Sequence, residues 1–138
     1  MKEYIVSIYV GSRSINMVEI TRLMGVEPSG GHNQREVGGR GDRCYLDNFW
    51  WLDSGAGDEA TMEAHGESLI ASLSRLSPEV APLASSGDLE VSIGVGIMYD
   101  TYTTSVRLPR ELVAFASRIG AGFEVSSYPT EFEAGDSR

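Results

Sequence analysis

The chain has 138 residues and a mass of 15.0 kDa, with 41% hydrophobic and 22% charged residues, which suits one packed domain and excludes a disordered chain. Its net charge of -9 is uneven: residues 1–43 hold six basic and five acidic side chains and residues 44–138 five basic and fifteen acidic, so most of the chain repels nucleic acid. A single cysteine, Cys44, excludes an internal disulfide, and with only His32 and His65 there is no ligand set for structural zinc.

The N-terminus Met1-Lys2-Glu3-Tyr4-Ile5 leads straight into alternation and not into a signal-type apolar block. No apolar run approaches the roughly 20 residues that span a bilayer. A bacterial cytoplasmic protein with no membrane attachment is expected.

Tyr4, Val6, Ile8 and Val10 alternate with Glu3, Ile5, Ser7 and Tyr9, the period of a strand with one strongly apolar face. Met17, Ile20, Leu23 and Met24 follow helical spacing, with Ser14 or Asn16 as N-cap and Gly25 placed to end the helix in a left-handed conformation. Residues 26–42 hold Pro28, five glycines and few apolar side chains, and read as a long connection. Cys44 to Leu52, rich in aromatics and closed by Asp53-Ser54-Gly55, reads as a second strand. Asp58 is the expected cap of a helix whose apolar stripe is Met62, Leu69, Leu73 and Leu76, stopped at Ser77-Pro78.

A short helical turn precedes Gly87. Leu89, Val91, Ile93, Val95 and Ile97 then alternate with Glu90, Ser92, Gly94, Gly96 and Met98, the clearest strand in the chain. Thr103 to Leu108 reads as a shorter strand. Pro109 opens a helix with Leu112, Val113, Ala116 and Ile119 inward, Gly120 closes it, and Phe123 and Val125 belong to a last strand. The expectation is one α+β domain over residues 1–128 and an acidic, frayed tail over 129–138. Its mixed or antiparallel sheet has four or five strands, with helices mainly on one face. Strand, helix and strand occur twice, which points to a pseudo-duplicated, ferredoxin-like βαβ plan.

Three stretches follow one another in a familiar order: Glu19-Ile20-Thr21-Arg22-Leu23-Met24-Gly25-Val26-Glu27-Pro28, then Trp50-Trp51-Leu52-Asp53-Ser54-Gly55, then Leu108-Pro109-Arg110-Glu111-Leu112 running through Gly120 to Tyr128. Their order and spacing resemble the bacterial family known as domain of unknown function 4279. The resemblance implies a small, single-domain α+β protein and carries no activity or ligand with it. Ser126 departs from the pattern, since relatives often have an aspartate before the final tyrosine.

Most candidate sites dissolve on inspection. Gly94-Val95-Gly96 lacks the third glycine of a dinucleotide fingerprint, because Tyr99 stands there and the pair lies inside a strand. Lys2 is the only lysine, which excludes a phosphate-binding P-loop. Cys44 reads as a small core residue and no nucleophile, and His65 as a packed histidine at the edge of its stripe. Arg40-Gly41-Asp42 is a chance tripeptide.

Two regions keep weight. In the long connection His32, Arg35, Arg40 and Arg43 gather among glycines whose amides can turn toward an anion. On the sheet face opposite the apolar alternation, Ser7, Ser92, Gly94, Gly96 and Ser126 are rimmed by Tyr9, Trp51 and Tyr128, a shallow concavity suited to a ligand, a peptide or a second subunit. That face is open only if the helix expected after Asp58 does not cover it.

The leading expectation is a non-enzymatic, protein-binding module, with a protein partner or a homodimer, acting through its acidic surface and this face, and a toxin that it neutralises as one such partner. The alternative is a sensor of a small anionic ligand, or an enzyme, using Arg35, Arg40 and Arg43 with Glu27, Glu36 or Asp42 as acid or base. Neither reading requires a cofactor or a metal.

Overall fold

The structure is a computed structural model that describes residues 2–36, 45–99 and 105–130. Its elements run β1 (Lys2–Ser12), α1 (Met17–Met24), β2 (Gly30–His32), β3 (Asn48–Asp53), α2 (Met62–Ser72), α3 (Val80–Ser86), β4 (Glu90–Tyr99), α4 (Arg110–Ile119) and β5 (Gly122–Pro129). The strands form one mixed sheet in the order β2-β3-β1-β4-β5. Among the described residues only β4 and β5 pair in parallel; every other neighbouring pair is antiparallel.

Alternation sorts the sheet into two faces. Val6, Ile8 and Val10 of β1, Trp50 and Leu52 of β3, and Val91, Ile93, Val95 and Ile97 of β4 are buried together on one of them. The registers agree, since Val10 lies opposite both Trp50 and Val91, and Ile8 opposite Leu52 and Ile93. The same core takes in Ile20, Leu23 and Met24 of α1, Met62 and Leu69 of α2, Val80 of α3, and Leu112, Phe115, Ala116 and Ile119 of α4. The helix layer therefore lies on the apolar face, and Trp50 is tied into it by an indole N–H donated to Thr21 Oγ1 at 3.1 Å.

Local signals set the helix ends. The Asn16 side chain accepts the Glu19 N–H at 2.9 Å, and Gly25 at φ 74° ends α1 where a Cβ would lie 2.5 Å from the Arg75 carbonyl oxygen. At this position both the backbone angle and the close approach require glycine.

Several expectations are corrected. The expected cap at Asp58 is replaced by Thr61, whose Oγ1 accepts the Ala64 N–H, so α2 starts at Met62. Asp58 instead offers its carbonyl to the Tyr4 N–H at 2.9 Å, and α2 gives way at Leu73, before Ser77-Pro78. The long connection contains a short edge strand, β2, and the second strand begins at Asn48, with Cys44 outside the described residues. Residues 105–108 of the expected Thr103–Leu108 strand are irregular, and 103–104 lie outside the described residues.

On α4, Val113 is 44% exposed and Phe115 takes the inward place, because Leu112, Phe115, Ala116 and Ile119 follow the i, i+3, i+4, i+7 rule. Val125 is 48% exposed although it shares a face with buried Val95, since β5 is the edge strand of the sheet; Phe123, two residues earlier on the same face, packs against the core. Of the two strand-helix-strand units, only β4-α4-β5 joins parallel neighbours; β1 and β3, which flank α1 and β2, are antiparallel. The α+β class with a five-stranded mixed sheet stands, while the two halves differ in pairing. Among the described residues no helix is long and apolar enough to cross a membrane.

Candidate functional site

The sheet face away from the helices is built by the other half of each alternation. It carries Ile5, Ser7 and Tyr9 of β1, Phe49 and Trp51 of β3, Gly30 and His32 of β2, Ser92, Gly94 and Gly96 of β4, and Glu124, Ser126 and Tyr128 of β5. Because α2 buries its stripe in the core with the other helices, no helix among the described residues covers this face. Tyr128 at 57% and Ile5 at 43% stand well exposed on it.

Aromatic rings cross half of the face. His32 stacks on Tyr45 with centroids 3.4 Å apart, His32 and Phe49 lie 5.6 Å apart, and Phe49 and Tyr9 5.9 Å apart at an interplanar angle of 19°. Trp51 pairs with Tyr9 in register, and its ring lies so close over Gly30 that a Cβ there would be 2.7 Å from Nε1. The glycine admits the indole.

Beyond this row, toward β5, the face dips into a groove of about 260 Å³ lined by Ile5, Tyr9, Gly94, Gly96, Glu124, Ser126 and Tyr128. Its floor is the backbone of β4. The Tyr9 ring lies over Gly94, where a Cβ would come within 2.5 Å of Cε2, and a Cβ on Gly96 would meet Ile5 at 3.7 Å and Tyr128 at 3.9 Å. Gly94 thus admits the Tyr9 ring, as Gly30 admits the indole, and Gly96 leaves room beside Ile5 and Tyr128.

Of the residues singled out in the sequence, the structure thus brings Tyr9, Gly94, Gly96 and Tyr128 around one groove, while Trp51 sits on the same face but outside the groove lining. Phe49, Ile5 and Glu124 were not singled out. The alternation that places Trp51 on this face also places Phe49 there, two residues earlier, and Glu124 follows in the same way from Ser126.

The second candidate region is less coherent. Arg40 and Arg43 lie outside the described residues. Arg35 is exposed at φ 72° in the turn after β2, where its N–H is donated to the Tyr45 carbonyl at 2.9 Å. His32 has Asp47 as its nearest charged neighbour, 3.9 Å from Nε2, and the Glu36 carboxylate accepts the Asn33 N–H. These carboxylates occupy the ground an anion would need.

A Ser-His pair also exists, but it is sealed in. Ser54 Oγ lies 2.6 Å from His65 Nδ1, with the two residues only 1% and 2% exposed. The Ala56 N–H is donated to the same oxygen, Ser68 Oγ–H to the Ser54 carbonyl, and the Tyr4 ring meets the imidazole edge-on. Burial pushes the imidazole below its ordinary range, outweighing the pull of Asp53, Asp58 and the nearby Gly57 carbonyl. His65 Nε2 is buried without a hydrogen-bond partner. A nucleophile and base enclosed in this way have no room for a substrate, and the pair acts as a structural tie between β3 and α2. Among the described residues no three His, Cys, Asp or Glu side chains are grouped to hold a metal ion.

Comparison with known proteins shows that a family model described as Domain of unknown function (DUF4279) matches residues 2–130. No curated protein and no solved structure matches the chain.

Proposed function

We propose, for a chain that belongs to the DUF4279 domain family, that it is a non-enzymatic binding module of the bacterial cytoplasm whose open sheet face docks another protein. The observation that carries this reading is the exposed, aromatic-rimmed groove on a face that no helix among the described residues covers. Aromatic side chains on rigid strands bury large areas at a contact with little loss of side-chain freedom. The lining holds one carboxylate, Glu124, and no histidine, cysteine or lysine, which favours recognition over acid-base or nucleophilic chemistry. The net charge of -9 selects a basic partner, of which a toxin held inactive by the module is one kind.

The test is affinity capture from the native organism's lysate, with the unaltered protein and a Tyr9→Ala/Tyr128→Ala variant run side by side. A protein retained by the first and lost from the second, with both folded, is the expected result. Equal retention by both, or no retained protein, would overturn the reading.

A further inference from the structure

Tyr9 and Tyr128 approach one stretch of β4 from opposite sides. Tyr9, on β1, stands opposite Ser92 in register, yet its ring leans over Gly94; Tyr128, on β5, stands opposite Met98, yet its ring leans back toward Gly96. The rings thus converge along β4 on positions two residues apart, about 7 Å in an extended strand. The groove they line together with Ile5 has about 260 Å³, room for one planar group. Glu124 stands opposite Gly94 in the parallel register and lines the same groove, exposed and with no cation beside it among the described residues.

We propose that this groove is a socket for one guanidinium, an arginine side chain presented by the partner protein, a proposal that rests on the docking role of the face. The guanidinium is planar, weakly hydrated and stacks on aromatic rings, and its paired N–H groups match a carboxylate in a way an ammonium does not. Gly94 lets the Tyr9 ring lie low on β4 and Gly96 adds no side chain beside Ile5 and Tyr128, so the plane enters between the tyrosines with its edge toward Glu124. The net charge of -9 favours the approach of a basic partner, and Glu124 is the carboxylate of the groove that meets it.

The probe is N-acetyl-arginine methylamide, titrated into isotopically labelled protein while amide resonances are followed by NMR. Saturable shifts centred on Gly94, Gly96 and Glu124 are expected, at least about five-fold weaker for the lysine analogue and for Glu124→Gln. Both Glu124 and Tyr128 are exposed, and unchanged thermal unfolding of Glu124→Gln and Tyr128→Ala confirms that the variants stay folded. Equal shifts with the norleucine or lysine analogue, or undiminished binding by Glu124→Gln, overturn the socket. If the captured protein is nevertheless lost on Tyr9→Ala/Tyr128→Ala, the docking face stands and the socket alone falls.

Discussion

At the scale of single residues, the neighbours Trp50 and Trp51 show how far one step along a strand separates two roles. Trp50 is fully buried and bonded to Thr21, whereas Trp51 is half-buried, with its indole against the backbone of Gly30 on an edge strand. Trp50→Ala is expected to cost about 3 to 5 kcal/mol, as for a large side chain removed from a core, and Trp51→Ala clearly less. Chemical denaturation of the two variants in parallel checks this, and equal losses would contradict the face assignment.

His65 supplies a pH prediction. Its pKa is depressed below the ordinary 6.5 by burial, so the unfolded chain binds the proton more readily than the folded one. Above about pH 6.5 the group has no effect on stability; as the pH falls below that value the unfolded state gains protons first and stability declines, until the folded-state pKa is passed. Asp53 and Asp58, facing the imidazole, reduce the decline without reversing it. Urea unfolding at about pH 7.5 and 5.5 reads the effect, and His65→Gln is expected to show the smaller loss between the two.

At the scale of elements, the beginning of α2 separates two residues of equal capping aptitude. Asp58 and Thr61 both suit an N-cap, and the sequence has no feature that chooses between them. The choice is made by the loop: Gly55 at φ 80° and Gly57 at φ 92° turn the chain so that the Asp58 carbonyl meets the Tyr4 N–H at the side of β1, and the helix starts one turn later. Thr61→Ala should therefore cost about 1 kcal/mol, and Asp58→Ala less than about 0.5 kcal/mol, measured by thermal unfolding. The reverse order would return the cap to Asp58. The strong periodicities were legible beforehand, as β1, α1, β4 and most of α4 show. Three-residue β2 was not, because Gly30-Gly31-His32 has no alternation and forms only by pairing with Phe49 to Trp51.

At the scale of the whole molecule, the decisive arrangement is that all the described helices share one side of the sheet. A helix has to bury its stripe somewhere, and the stripe of α2 fits either face equally well as a pattern. It lies with the others because the Ser54-His65 tie and the packing against β1 hold it over the apolar side. The opposite face is left to aromatic rings, serines and glycines with Ile5 and Glu124 among them, and the candidate site follows from that vacancy.

Alternation and composition by themselves determined the α+β class, the identity of the core-facing residues on β1, β3 and β4, and the grouping of Tyr9, Gly94, Gly96 and Tyr128 on one face, because strand periodicity is a local property. The tertiary structure decided the strand order, the single parallel pair, the exposure of Val125 at the sheet edge and the leaning of Tyr9 and Tyr128 toward each other over β4. These depend on which distant segments meet, and the approach of residue 9 to residue 94, or of 128 to 96, leaves no mark in the spacing of any one of them.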